Sequence, residues 1–239
     1  MYFYWYYYLL SFLLLPGLIL SIIAQIKTTT SFEKNNKKQI RSGKTAGELA
    51  QEILRYENLS HIKIQRCHGH LTDHYNPKSQ TVSLSDSVYN NSSISAVGVM
   101  AHELGHVLQY RDGYGPIKIR AFLVPIINFS NILMWPITFL GLFLEVLAYA
   151  QVGYILILIG IGIFALSTLF ALVTVPVERN ASKRAYKLLL DAGIIDKEEG
   201  KSIKEVLNAA GMTYIAALIT SILSLLRFVL FIFSIRNRD

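Results

Sequence analysis

Four apolar blocks, near residues 3–26, 121–144, 152–175 and 212–235, constrain this chain more than any other feature. At about 24 residues each they match or exceed the ~20 that a helix needs to cross the hydrocarbon core of a bilayer. In lipid a backbone must satisfy its own hydrogen bonds, so each block is expected to fold as a helix. The rest of the 239 residues lies mostly in 27–120 and 176–211, enough for one small soluble domain and too little for two. The fold expected is therefore an α-helical polytopic membrane protein with about four transmembrane helices and one small α+β domain. An apolar fraction of 52% excludes a disordered chain, and a single cysteine, Cys67, excludes a disulfide framework.

The first block has no Lys or Arg ahead of it and no small-residue cleavage site, so residues 1–26 read as a retained anchor whose Tyr and Trp cluster suits one interface. Between the second and third blocks only LEVLAYAQ intervenes, so 121–175 forms a transmembrane hairpin and the two large polar segments lie on one side. Segment 27–120 carries 13 Lys and Arg and segment 178–211 carries 7, together 20 of the 23 in the chain. The positive-inside bias makes that side cytoplasmic, leaving residues 212–239 as a last span and tail. A net charge of +7 raises the question of nucleic acid, but 27–120 offsets its 13 bases with 8 acids and shows no basic run interleaved with aromatics. Orientation toward an anionic lipid surface accounts for the excess, and no nucleic-acid partner is expected. Arg227 falls mid-block in the last span, where it faces the bundle, breaks the span into shorter interfacial pieces or serves as a functional ion.

Segment 28–43 is polar and basic without an apolar period, which predicts a linker or juxtamembrane arm. From Thr45 the residues Ala46, Leu49, Ala50, Ile53 and Leu54 fall at helical spacing, predicting an amphipathic helix to about Asn58. Three short alternating runs follow, HIKIQRC, HLTDHY and TVSLS, which predict a small antiparallel sheet. Ser92 or Ser93 then caps a helix that closes at Gly113, and a further helix begins or kinks at Pro176 and stops at Gly193.

The strongest chemical signal is His102-Glu103-Leu104-Gly105-His106 on the second of these helices. Residues four apart lie one turn above each other, so both imidazoles can hold one zinc ion while Glu103 stays near the open coordination position. Such an ion lowers the pKa of bound water toward ~7, and a neighbouring carboxylate can take its proton and pass it to a leaving amine. With six His in 239 residues, about 0.006 such matches are expected by chance. Gly105 adds to the signal, because an interior helix glycine costs ~1 kcal/mol against alanine and calls for a reason such as close approach of another backbone.

A catalytic zinc needs a third protein ligand, and the acids and histidines on the same side are Asp112, Glu178, Asp191, Asp196, Glu198, Glu199, Glu205, His61, His68, His70 and His74. Glu178 is the choice, since it opens a helix leaving the membrane on the side from which the histidine helix enters it. Ser182, one turn on, can orient a ligand or belong to a solvated polar face. His68, His70, His74 and Asp73 form a rival cluster whose spacing lacks a paired metal motif, and Asp73 and His74 read as turn or rim residues. The blocks hold few polar residues, Asn128, Ser130, Asn131, Thr138, Ser167, Thr168, Thr174, Thr220, Ser221, Ser224 and Arg227, which are expected to bond between helices rather than to line a path.

Four strings, LTDHYNP, SLSDSVY, GVMAHELGHVLQY and VPVERNASKRA, occur here in the order found in the YugP-like family of bacterial membrane zinc peptidases, which the chain resembles from about Leu18 to Phe233. The resemblance implies a neutral zinc metallopeptidase of the bacterial cell membrane. The plan is also similar to that of HtpX-like membrane peptidases, where the acid of an E-x-x-x-D string is the third ligand. That implies Glu178 as ligand, with Ser182 where those enzymes place Asp.

The expectation is a zincin-like cytoplasmic domain on a four-helix anchor, cleaving peptide or membrane-protein substrates with one zinc held by His102, His106 and Glu178 and with Glu103 as general base. Tyr75, Tyr89, Tyr110 and Tyr114 are candidate oxyanion donors, and Thr81–Ser85 a strand that could pair with substrate. The rivals are a zinc-binding module without turnover and a transporter.

Overall fold

The computed structural model describes residues 10–147 and 150–236. The elements in chain order are α1 (Leu15–Asn36), α2 (Ala46–Tyr56), β1 (Lys63–Cys67), β2 (His74–Asn76), β3 (Thr81–Ser85), α3 (Ile94–Arg111), α4 (Gly115–Val146), α5 (Ala150–Asp191) and α6 (Lys197–Arg236). They divide into two compact units, a polar one of Ile23–Ile117 with Pro176–Thr213, and an apolar one holding Lys118–Val175 and the described residues up to Ile22 and from Tyr214.

The protein is mostly helical, and four of its helices are long and apolar enough to cross a membrane: Leu10–Asn36, Gly115–Gly141, Gln151–Asp191 and Lys197–Leu230. The apolar unit leaves large side chains such as Phe122, Phe129 and Ile132 exposed, a surface suited to hydrocarbon rather than water. Some of its polar residues bond between helices as expected: Ser167 Oγ donates to Asn131 Oδ1 at 3.3 Å, Thr168 and Ser221 share a 2.8 Å contact, and Ser21 meets Thr220 at 3.3 Å, whereas Thr138 and Thr174 donate to the Met134 and Phe170 carbonyls of their own helices at 2.7 and 2.8 Å. Arg227 Nη2 donates to Ser11 Oγ at 3.3 Å. The Tyr and Trp cluster ahead of Leu10 lies outside the described residues.

The polar unit is built on α3, of whose 18 residues 14 are buried, so it is a core helix rather than a surface one. Ser93 caps its start by accepting from the Ala96 N–H. At its end Gly113, at φ +67°, lets the Tyr114 N–H reach the Gln109 carbonyl at 2.9 Å, closing the last turn. Leu49, Ala50, Ile53 and Leu54 of α2 are buried in the core that also takes Val97, Met100, Ala101 and Leu104 of α3. A reciprocal capping box between Thr45 and Glu48 fixes where α2 begins.

The sheet is mixed rather than antiparallel, with β3 central in the order β1-β3-β2. Asn76 Oδ1 accepts from the N–H groups of Lys78 and Ser79, a tight turn that folds β2 back antiparallel on β3. The chain between Cys67 and His74 crosses the sheet end, so β1 reaches the far edge of β3 and runs parallel to it, Lys63 opposite Thr81. Both edges of β3 are thus occupied, and Thr81–Ser85 cannot accept an added strand; the expectation that it pairs with substrate is overturned.

Two further expectations change. Segment 28–43 is not a linker throughout, because α1 continues to Asn36. Its inward face holds Ser31, Phe32 and Asn35, and Ser95 Oγ donates to the Phe32 carbonyl at 2.7 Å, so a buried polar stripe replaced the apolar period. Glu178 does not open a helix either, since α5 runs through Pro176 to Asp191 and places it well inside. A first-turn acid favoured by the helix dipole is therefore no account of Glu178.

Candidate metal centre

Helix α3 presents His102 and His106 one turn apart, with ring centroids 4.9 Å from each other and planes at 86°. Across from them α5 presents Glu178, whose Oε2 lies 3.0 Å from His102 Nε2 and 3.6 Å from His106 Nε2. The helices can come this close because of small residues: a Cβ on Gly105 would sit 2.4 Å from the Ala181 carbonyl oxygen, and Ala181 and Ala185 are fully buried. The backbone approach that Gly105 implied is thus present.

Burial opposes the charge on Glu178, whose side chain is only 3% exposed. Hydrogen bonds from His102 and His106, with their charge, outweigh that cost and hold the carboxyl well below its ordinary range. Burial likewise works against a charged His106, but its bond to Glu178 and the negative charge of Glu103 and Glu178 raise its pKa above the ordinary value.

The donor set fits a zinc ion. One ligand atom from each of His102, His106 and Glu178 can be chosen so that all lie within 4.8 Å of one another. Tetrahedral ligands at ~2.0–2.1 Å from a common centre stand ~3.3 Å apart, so adjustments on the order of an ångström close the set. Two imidazoles and a carboxylate make the nitrogen and oxygen triad of a zinc site that keeps one position open. Each Nε2 faces the centre while each Nδ1 meets a protein group: Ser182 Oγ at 3.2 Å from His102, and Gln109 Oε1 at 3.0 Å from His106. Glu103 lies next in sequence to His102, is buried, and acts on His106 through its negative charge.

The other third-ligand candidates are occupied elsewhere or apart. Asp112 pairs with Arg111 and Arg184, Asp196 with Arg41, Glu198 with Lys201 and Glu205 with Lys34. Glu199 accepts from the Arg41 N–H. The rival histidine cluster does not converge: His68 stands exposed 3.6 Å from Asp86, His70 meets the Phe32 ring edge-on, and His74 Nδ1 contacts the Thr72 carbonyl. Asp73 accepts from the Ser85 N–H and Oγ at 2.7 and 2.9 Å, which ties the crossing loop to the end of β3. Among the tyrosines, Tyr89 packs over Gly47 and Tyr114 lies against the Arg184 guanidinium, whereas Tyr75 of β2 and Tyr110 of α3 meet edge to face at 5.7 Å.

Sequence reasoning missed Gln109. Gln109 is fully buried, donates from Nε2 to the Val177 carbonyl at 2.8 Å and to Asn180 Oδ1 at 3.0 Å, and so ties α3 to α5 beside the histidines. The signal available was spacing: 102, 106 and 109 fall on one helical face.

The chain is 39% identical, over 233 residues that make up 97% of it and 100% of the relative, to a Bacillus subtilis (strain 168) protein named "Putative membrane protease YugP". No solved structure matches. The family described as "Putative neutral zinc metallopeptidase" matches residues 10–233, nearly the whole chain, and the chain belongs to that family.

Proposed function

We propose that this chain is a membrane-embedded zinc metalloendopeptidase that cleaves peptide or membrane-protein substrates at the cytoplasmic face of the bacterial cell membrane. The observation that carries the reading is the convergence of His102, His106 and Glu178, with Glu103 next in sequence to His102 and its negative charge acting on His106. When bound, a single zinc ion supplies Lewis acidity toward water and the scissile carbonyl. Glu103 accepts a proton from the attacking water and returns it to the departing amine nitrogen, so the residue ends in the state in which it began. Ser182 and Gln109 hold the two rings from behind, and Glu178 would complete the donor set with a negative charge. With both edges of β3 taken, the outer edge of β2, which contacts α3, is the strand left beside this site for an extended substrate.

The test is metal content and cleavage measured together in detergent-solubilised protein. Glu103→Gln is expected to keep one zinc per chain and lose cleavage of a membrane-protein substrate by roughly 10²–10⁴-fold, what removal of a general base costs. A zinc-binding module without turnover would be indifferent to that change. Glu178→Ala is expected to lower zinc affinity severely, and undiminished zinc in it would move the third ligand elsewhere.

A further inference from the structure

Every polar group behind His106 has its hydrogen-bonding direction forced by its neighbour, and the forcing starts at a residue that can only donate. Arg184 Nε donates to Asn180 Oδ1 at 2.8 Å, and its guanidinium also engages Asp112 and the Leu108 carbonyl. A guanidinium has no acceptor, so Asn180 must turn its oxygen, not its amide nitrogen, toward Arg184. The same oxygen and the Val177 carbonyl, which can only accept, face Gln109. Gln109 must therefore point its NH₂ at them and its Oε1 at His106. An amide oxygen can only accept, so the proton between Gln109 and His106 belongs to His106 Nδ1.

We infer that Gln109 is a positioning residue that fixes His106 as the Nδ1–H tautomer and so aims the Nε2 lone pair at the metal position between His102 and Glu178. The inference rests on the zinc reading above and adds the element that selects which nitrogen binds. The two rings differ in this respect. His102 Nδ1 faces the Ser182 hydroxyl, which can donate or accept by rotation and so imposes no tautomer. His106 is the ring whose state is set from outside the site, by a chain of groups running to the Arg184–Asp112 ion pair at the surface.

Two measurements on full-length protein in detergent test this. In zinc-loaded, unmutated protein labelled with ¹⁵N-histidine, the His106 ring is expected to carry its proton on Nδ1 and the metal on Nε2; a proton on Nε2 overturns the inference without any variant. Gln109→Leu, similar in size but mute, is expected to bind zinc 10–100-fold more weakly in chelator competition, the range found for loss of a ligand's hydrogen-bond partner. Its cobalt-substituted form is expected to show an altered visible spectrum, which a change in stability alone would not produce. Zinc affinity within twofold of the unmutated protein together with an unchanged cobalt spectrum overturns the positioning role while leaving the zinc site intact. If the unmutated protein binds no zinc, the site reading and this inference fall together, which separates that failure from the previous one. Should Gln109→Leu not fold, the ring spectrum of the unmutated protein decides alone.

Discussion

Glu178 and His106, packed this closely, respond to protons in opposite senses. The pKa of Glu178 is depressed, so its contribution to stability is present above its unfolded value of 4.5 and is lost as pH falls through the folded one. That of His106 is raised, so its contribution is complete below its unfolded value of 6.5 and is lost as pH rises through the folded one. The two overlap between about 4.5 and 6.5, where chelator-treated protein is expected to show its highest melting midpoint. Zinc needs the lone pairs that protons hold, so its stabilising increment should grow as pH rises through that window. Melts at pH 4, 5.5 and 8 with and without chelator check this, and a midpoint that climbs steadily to pH 8 in chelator would contradict it. At this scale the sequence was legible where partners sit on one helix. His102, Glu103 and His106 stand out because helical geometry alone brings them together. Gln109 did not, because its partners Val177 and Asn180 lie about 70 residues away and nothing local distinguishes a buried amide from a solvated one.

Between elements, the decisive contact is α3 against α5. Gly105→Ala would drive a methyl into the Ala181 carbonyl at 2.4 Å, and since that neighbour is backbone the helices must separate. Overpacking of this kind costs roughly 1–3 kcal/mol, which exceeds the ~1 kcal/mol that alanine gains over glycine in helix propensity. Gly98→Ala on the same helix is the control: its methyl would meet only Ile203 side-chain atoms at 3.8–3.9 Å, an ordinary contact, so propensity should win by up to ~1 kcal/mol. Opposite shifts in the melting midpoints of the two variants are expected, with zinc affinity reduced in Gly105→Ala only. Helices α2 and α3 were readable from apolar spacing and caps. The sheet's pairing was not, because alternation marks a strand without naming its neighbour or direction. The end of α1 was hidden for a different reason: Ser31 and Asn35 occupy inward positions where a periodicity argument looks for Leu or Ile.

At the level of the whole molecule, the four spans were legible because an apolar run of this length needs no partner to be recognised. Sidedness rests on charge alone, with 20 of 23 Lys and Arg in two segments separated by a hairpin. A reporter fused at Ala148, which lies outside the described residues, is expected to read as extracytoplasmic, and a cytoplasmic reading would reverse the orientation of the active face. The candidate ligands carry a temporal consequence. His102 and Glu178 are 76 positions apart, with the apolar blocks 121–144 and 152–175 encoded between them. A nascent chain displays its histidine pair long before the ribosome has made the carboxylate. On the function proposed above, cleavage would then require the hairpin and the start of the following segment to have been synthesised, and fragments left by stalled translation upstream of that point are expected to be inert.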